Sequence, residues 1–367
     1  MSQQVLIEQK GRDSNLELYR ILCMLMIVAH HFVVNSGLTA AAGPLSTNPD
    51  NANSVFLRFF GMWGKTGINC FLMITGYFMC VSKISFKKLL KLLLQIYFYK
   101  LIIFLVFLIA GYEAITIKRI AKLVMPFWGF KSNFVSCFIF FYLTIPFLSI
   151  LVQHLSKRQH QLLLLLTLTC YTVLGSVPTF DITFNYVTWF VILFFIASYI
   201  RLYPSRLFER KQLWGWLTLV SVMVAMASVV LMRKLLSNDY FLVSDSNKFF
   251  AVLVAVCSFL WFKNLNIKQS NIINAIGGST FGVLLIHANS NAMRTWLWKD
   301  MVDCVGHYSL SLGRLVLFSF GVVLAVFFVC NVIDQLRISL LEKPLFKWYD
   351  RRLAGKVDLV IKRKTNG

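Results

Sequence analysis

The sequence predicts an all-α protein, a polytopic membrane helix bundle of about ten transmembrane helices with both termini in the cytoplasm. Three observations predict it. Mean hydropathy is +0.69, 58% of the residues are hydrophobic and only 14% are charged, a balance that prefers lipid to water. Apolar runs of bilayer-spanning length, about 17 to 25 residues, recur along the chain. Lysine and arginine collect in every second connection between those runs.

The runs fall near 16–34, 58–81, 92–112, 133–153, 161–177, 187–203, 213–232, 249–262, 272–290 and 310–333. The first carries Glu17, Arg20 and the pair His30 and His31. Ala40, Ala41 and Ala42 follow it as small residues follow a signal peptide, but the run is too long for a signal core and holds charges, so it stays as an uncleaved span. Lys83, Lys87, Lys88 and Lys91 separate the second and third runs; Lys157 and Arg158 separate the fourth and fifth; Arg201, Arg206, Arg210 and Lys211 separate the sixth and seventh. Lys263 and Lys268 follow the eighth. Residues 335–367 read as a basic cytoplasmic tail with Arg337, Lys343, Lys347, Arg351, Arg352, Lys356, Lys362, Arg363 and Lys364. Positive segments near span ends stay in the cytoplasm, and this alternation sets the orientation. Residues 116–131 run against it: Lys118, Arg119, Lys122 and Lys131 stand beside Met125, Phe127, Trp128 and Phe130. That stretch reads as an amphipathic segment on the membrane surface, or as a surface that meets an anionic acceptor. No polar stretch is long enough to bury a soluble core, so 1–367 is a single integral-membrane domain.

A net charge of +22 and a pI near 9.8 raise the question of nucleic acid, but the basic residues are spread over many short loops, and topology accounts for them. The eight cysteines, at 23, 70, 80, 137, 170, 257, 304 and 330, stand singly with no Cys-x-x-Cys pair, and they read as packing residues. His30 and His31 point about 100° apart on a helix, and no carboxylate lies at ligand spacing, so no metal site is expected.

Acid–base chemistry remains. An ionised group near the bilayer centre costs about 2.5–3.5 kcal/mol even on mild insertion scales, so such residues are rare unless they act. Arg20 and His31 stand eleven residues apart, which on a helix returns to the same face about 16 Å further along the axis. Both are expected to look into one inward cavity. Glu17, three residues before Arg20, is placed to hold its guanidinium. Arginine stays charged while imidazole titrates near neutrality, so the pair suggests an anion anchor beneath a general base. His30 points to another face and is placed to pair with a neighbouring helix.

The run Arg12-Asp-Ser-Asn-Leu-Glu-Leu-Tyr-Arg20, continued to His31, resembles the opening of the acyltransferase-3 family of bacterial membrane O-acyltransferases, whose first span carries Arg-x10-His. Two further stretches agree. Gly64 to Phe78 looks like the family's second-span pattern, with Thr75 in place of a serine and Leu72 in place of an aromatic residue. Ile276 to His287 is similar to the family's Ser-Tyr-x-x-Tyr-Leu-x-His segment; both tyrosines are missing, but His287 matches. Phe134 to Leu148 looks like the fourth span.

The resemblance implies transfer of an acyl group, usually acetyl, from cytoplasmic acetyl-CoA to a hydroxyl of a surface or lipid-linked glycan, by a multi-pass protein of the bacterial inner (plasma) membrane. Donor and acceptor then lie on opposite sides, and the enzyme needs polar groups through the membrane's depth. On this reading His31 is the base, Arg20 holds the donor and Glu17 orients Arg20. His287 either orients His31 or the acceptor, or packs. Lys87, Lys88 and Lys91 stand where the family places an arginine-containing donor segment, although the positive-inside rule explains them without a ligand. A glycan transporter or flippase is the competing reading; no internal duplication of the kind many transporters carry is visible.

Overall fold

The computed structural model describes residues 13–82, 84–125, 133–180, 182, 184–236 and 240–352; among these there are helices and turns but no strand. In chain order the helices are α1 (Ser14–Val34), α2 (Pro44–Thr47), α3 (Ala52–Gly61), α4 (Gly64–Met79), α5 (Phe86–Ile109), α6 (Ile117–Val124), α7 (Phe134–His154) and α8 (Lys157–Leu168). They continue as α9 (Tyr186–Leu202), α10 (Lys211–Leu236), α11 (Phe249–Lys263), α12 (Asn271–Gly278), α13 (Thr280–His287), α14 (Asn291–Thr295), α15 (Leu312–Arg337) and α16 (Lys343–Arg352). Side-chain caps open many of them. Asp13 accepts the Asn15 N–H at 3.0 Å, Asn133 that of Ser136 at 3.1 Å and Asn185 that of Thr188 at 2.9 Å, each satisfying a donor that the first turn leaves over.

Helix α1 is the hub, packed by α3, α4, α11, α12, α13 and α15. Leu16, Tyr19, Cys23, Met24, Val28 and Phe32 along it are buried. Around this core the outer helices present aliphatic and aromatic faces outward: Leu101, Val106 and Ile109 on α5, Trp216, Val220 and Met223 on α10, Leu317, Leu324 and Phe328 on α15. Water would not support such faces, and a hydrocarbon solvent does. Helices α1, α5, α7 and α10 and the continuous run Leu312–Arg352 are each long and apolar enough to cross a bilayer; Asn271–His287 with Asn291–Ser309, bent by 95°, makes a sixth such unit. Helices α9 and α11 are apolar but shorter.

All ten apolar runs are largely helical, yet three are not single rods. The run at 58–81 breaks between α3 and α4, where the His30 ring donates Nδ1–H to the Gly61 carbonyl at 2.6 Å and replaces a bond within the helix. The run at 272–290 breaks at Ser279, between α12 and α13. The run at 161–177 ends in a π turn at Thr169–Val173 and a 3-10 turn at Leu174–Ser176. The stretch read as a tail remains helical to Arg352, through a π turn at Ile338–Glu342 and α16; Lys356, Lys362, Arg363 and Lys364 lie outside the described residues. Of the amphipathic segment, α6 is described, with Ile117, Ile120 and Val124 exposed along one stripe and Arg119 paired to Glu113. Phe127, Trp128, Phe130 and Lys131 lie outside the described residues, as do Arg12 and Lys83.

Candidate active site

Close backbone approach builds the site. At Gly64, the first residue of α4, an added Cβ would lie 2.2 Å from the His30 ring, and at Gly67 2.9 Å from the Cys23 carbonyl oxygen. Helix α4 therefore runs antiparallel to α1 at contact distance, its start beside His30 and His31. Gly277 makes the matching approach at the other end of α1, where a Cβ would lie 2.4 Å from Glu17.

His31 and His287, far apart in sequence, meet in space. His287 is fully buried at the end of α13, and its Nδ1 lies 2.6 Å from the Val283 carbonyl. A carbonyl only accepts, so Nδ1 of His287 carries the proton and its Nε2 carries the lone pair. His31 Nδ1, 2.9 Å from that Nε2, must then donate. The chain Val283 carbonyl, His287, His31 thus leaves the lone pair of His31 on Nε2, which has no hydrogen-bond partner among the described residues. A neutral imidazole held in one tautomer with a free lone pair is the arrangement a general base requires.

His31 lines a cavity of about 320 Å³. Its apolar wall comes from Ile27, Ile68, Ile96, Phe134, Leu284 and Leu285; its polar lining comes from His30, Lys65, Lys100, Asn133, Tyr186, Asn289 and Arg294. Lys65 donates to the Tyr186 hydroxyl at 2.7 Å and stands 3.8 Å from Asp245. Arg294 donates to the Ala288 carbonyl at 3.3 Å.

The other predicted residues gather at the opposite end of the bundle. Arg20 lies 3.4 Å from Glu17 and over the ring of Phe71, about three helical turns from His31 on the same face. It is not among the residues lining the His31 cavity. Helix α5 begins where α4 ends, which puts Lys87, Lys88 and Lys91 toward the Arg20 end. Lys87 is paired with Asp350 at 2.6 Å and Lys91 with Glu342, around a surface groove of about 540 Å³ shared with Lys343, Lys347 and Arg351. Nearby Asp334, fully buried, accepts from Tyr99 at 2.8 Å and from Arg337 at 2.8 Å, and Arg337 reaches Glu342 at 2.7 Å.

Sequence reasoning passed over Lys65, Lys100 and Arg294. Lys100 carried the same signal as Arg20, a charge inside an apolar run. Arg294 lies between runs, and only the fold brings it to His31. The eight cysteines are unpaired. Among the described residues no cluster of three or more His, Cys, Asp or Glu side chains could hold a metal.

Comparison with known proteins bears on what this site does. The acyltransferase domain family matches residues 13–332. No curated protein and no solved structure matches the chain. The match takes in α1, α4, α13 and nearly all of α15, and it favours acyl transfer over the transporter or flippase reading. A bundle of bilayer-length helices with lipid-matching faces, its middle helix carrying a tautomerically fixed histidine, thus belongs to the acyltransferase-3 family and is a membrane acyltransferase.

Proposed function

We propose that this chain transfers an acetyl group from cytoplasmic acetyl-CoA to a hydroxyl of a surface or lipid-linked glycan, with His31 as the general base. The observation that carries the reading is the chain from the Val283 carbonyl through His287 to His31, a residue that lines a cavity. The sugar hydroxyl gives its proton to His31 Nε2 as its oxygen bonds to the thioester carbonyl carbon. The tetrahedral intermediate collapses by breaking the C–S bond, and the departing sulfur takes the proton back from His31. Acetyl ester and CoA are the products, and the histidine is returned neutral. His287 is a positioning residue: it fixes which nitrogen of His31 is basic and accepts a bond that strengthens when His31 becomes cationic.

The second site on α1 suits the donor. Arg20, oriented by Glu17, offers a planar fork for the donor's phosphate region, and Lys87, Lys88 and Lys91 are its charged neighbours toward the same end. A cavity of about 320 Å³ beside His31 has room for an acetyl ester and part of one sugar rather than a whole nucleotide. The ten apolar runs form ten crossings, several broken or short, in the inner (plasma) membrane of a bacterium, with both termini cytoplasmic; lysines and arginines in alternate connections support that orientation. The test is release of free CoA from acetyl-CoA by membranes holding the chain. Glycan-dependent release that disappears in His31→Ala supports the reading, and glycan movement without release contradicts it.

A further inference from the structure

We propose that the acceptor bound beside His31 is an anionic glycan, carrying a phosphate or carboxylate within reach of Lys65, Lys100 and Arg294; this rests on the acyl-transfer reading above. The three cations line one cavity, and among the described residues no carboxylate lines it with them. Lys65 is the best compensated, bonded to Tyr186 and 3.8 Å from a half-exposed Asp245. Lys100 lies along the apolar run of α5 near the ring of Tyr97 and pairs with no carboxylate among the described residues. Arg294 spends one nitrogen on a backbone carbonyl, and its buried Nε has no partner.

Elsewhere several buried or clustered cations are balanced by carboxylates, Arg337 by Asp334 and Glu342, Lys91 by Glu342, Lys87 by Asp350 and Arg119 by Glu113, while Arg201 is held by Tyr77. A cation in a low-dielectric pocket is costly to leave without a counter-charge, and a merely structural one is relieved by a carboxylate. The negative charge missing here is supplied by substrate. The reaction's oxyanion carries a single charge and calls for one or two donors, fewer than the pocket holds. The donor's phosphates are held away from its thioester by the extended pantetheine arm, and the thioester must stand within about 3–3.5 Å of the attacking oxygen. The anion next to His31 therefore belongs to the acceptor. An arginine fork with two ammonium groups suits a phosphate or carboxylate and rejects a cationic amino sugar.

The test uses purified full-length protein in detergent, acetyl-CoA, and de-O-acetylated surface polysaccharide from the source cell. The polysaccharide is taken as isolated and after its carboxylates are reduced to alcohols and its phosphates removed. The proposal expects kcat/KM to fall at least about 10-fold on the neutralised glycan, and Lys100→Gln and Arg294→Gln each to cut the ratio between the two glycans through KM for glycan. Equal acetylation of both glycans, or an isolated glycan without acidic groups, overturns it and leaves acyl transfer standing. Equal losses on both glycans in the two variants overturn it in favour of an oxyanion role, and a raised KM for acetyl-CoA alone overturns it in favour of the donor. Absence of both CoA release and ester formation with either glycan overturns the acyl-transfer reading itself, and the proposal with it.

Discussion

His287→Ala separates a positioning histidine from a packing one. In the native protein its Nε2 accepts the His31 Nδ1–H at 2.9 Å, while its own Nδ1–H is fixed on the Val283 carbonyl at 2.6 Å. Alanine leaves that His31 donor without an acceptor in a buried place, at a cost of about 1–3 kcal/mol. The cost is largest when His31 carries the transferred proton, because a bond from a charged donor is about twice as strong as a neutral one. With each ~1.4 kcal/mol worth tenfold in rate, kcat falls about 10- to 100-fold. KM for donor and glycan changes little, since the lost interaction belongs to the transition state. His287→Gln restores an acceptor near the position of Nε2, and kcat recovers to within about 5-fold of the native value, as an amide oxygen accepts the same N–H. The assay is initial-rate thiol release from acetyl-CoA at saturating glycan, on protein that elutes as a single species. Native kcat in His287→Ala, or equal losses in the alanine and glutamine variants, refutes the role.

Other expectations are as concrete. Arg20→Lys raises KM for acetyl-CoA at least about 10-fold, because a point charge cannot reproduce a two-pronged grip; donor titration checks this. Gly64→Ala drives a Cβ to within 2.2 Å of the His30 ring and lowers stability by about 1–3 kcal/mol, whereas Gly313→Ala meets no atom within 4 Å and leaves the unfolding temperature unchanged or raised; thermal unfolding in detergent compares them. Asp334→Asn leaves Arg337 facing Glu342 alone and destabilises the protein by about 3–5 kcal/mol, which the same assay reads.

Much of the fold was legible because burying backbone in lipid admits few solutions. Each of the ten apolar runs is largely helical, and Glu17 three residues before Arg20 marked their ion pair. The breaks were harder to read. At the one between α3 and α4, the stabilising hydrogen bond comes from His30, on another helix. At the site, resemblance supplied His31 and His287 separately, and spacing placed Arg20 on the face of His31. Neither tells that His31 reaches His287 while Arg20 stays at its own end, because that depends on how α13 packs on α1. The pairing of Lys87 and Lys91 with α16 and the turn before it joins residues too distant in sequence for any local pattern to reveal.

The most direct test of the central claim is mass spectrometry of surface polysaccharide from cells that lack this chain and are supplied with either the native protein or His31→Ala. Acyl transfer with His31 as base predicts the acetyl mass increment on the glycan with the native protein and its loss with the variant, at equal amounts of protein in the membrane. An undiminished increment in His31→Ala contradicts the base, and no increment with the native protein contradicts acetylation of that glycan altogether.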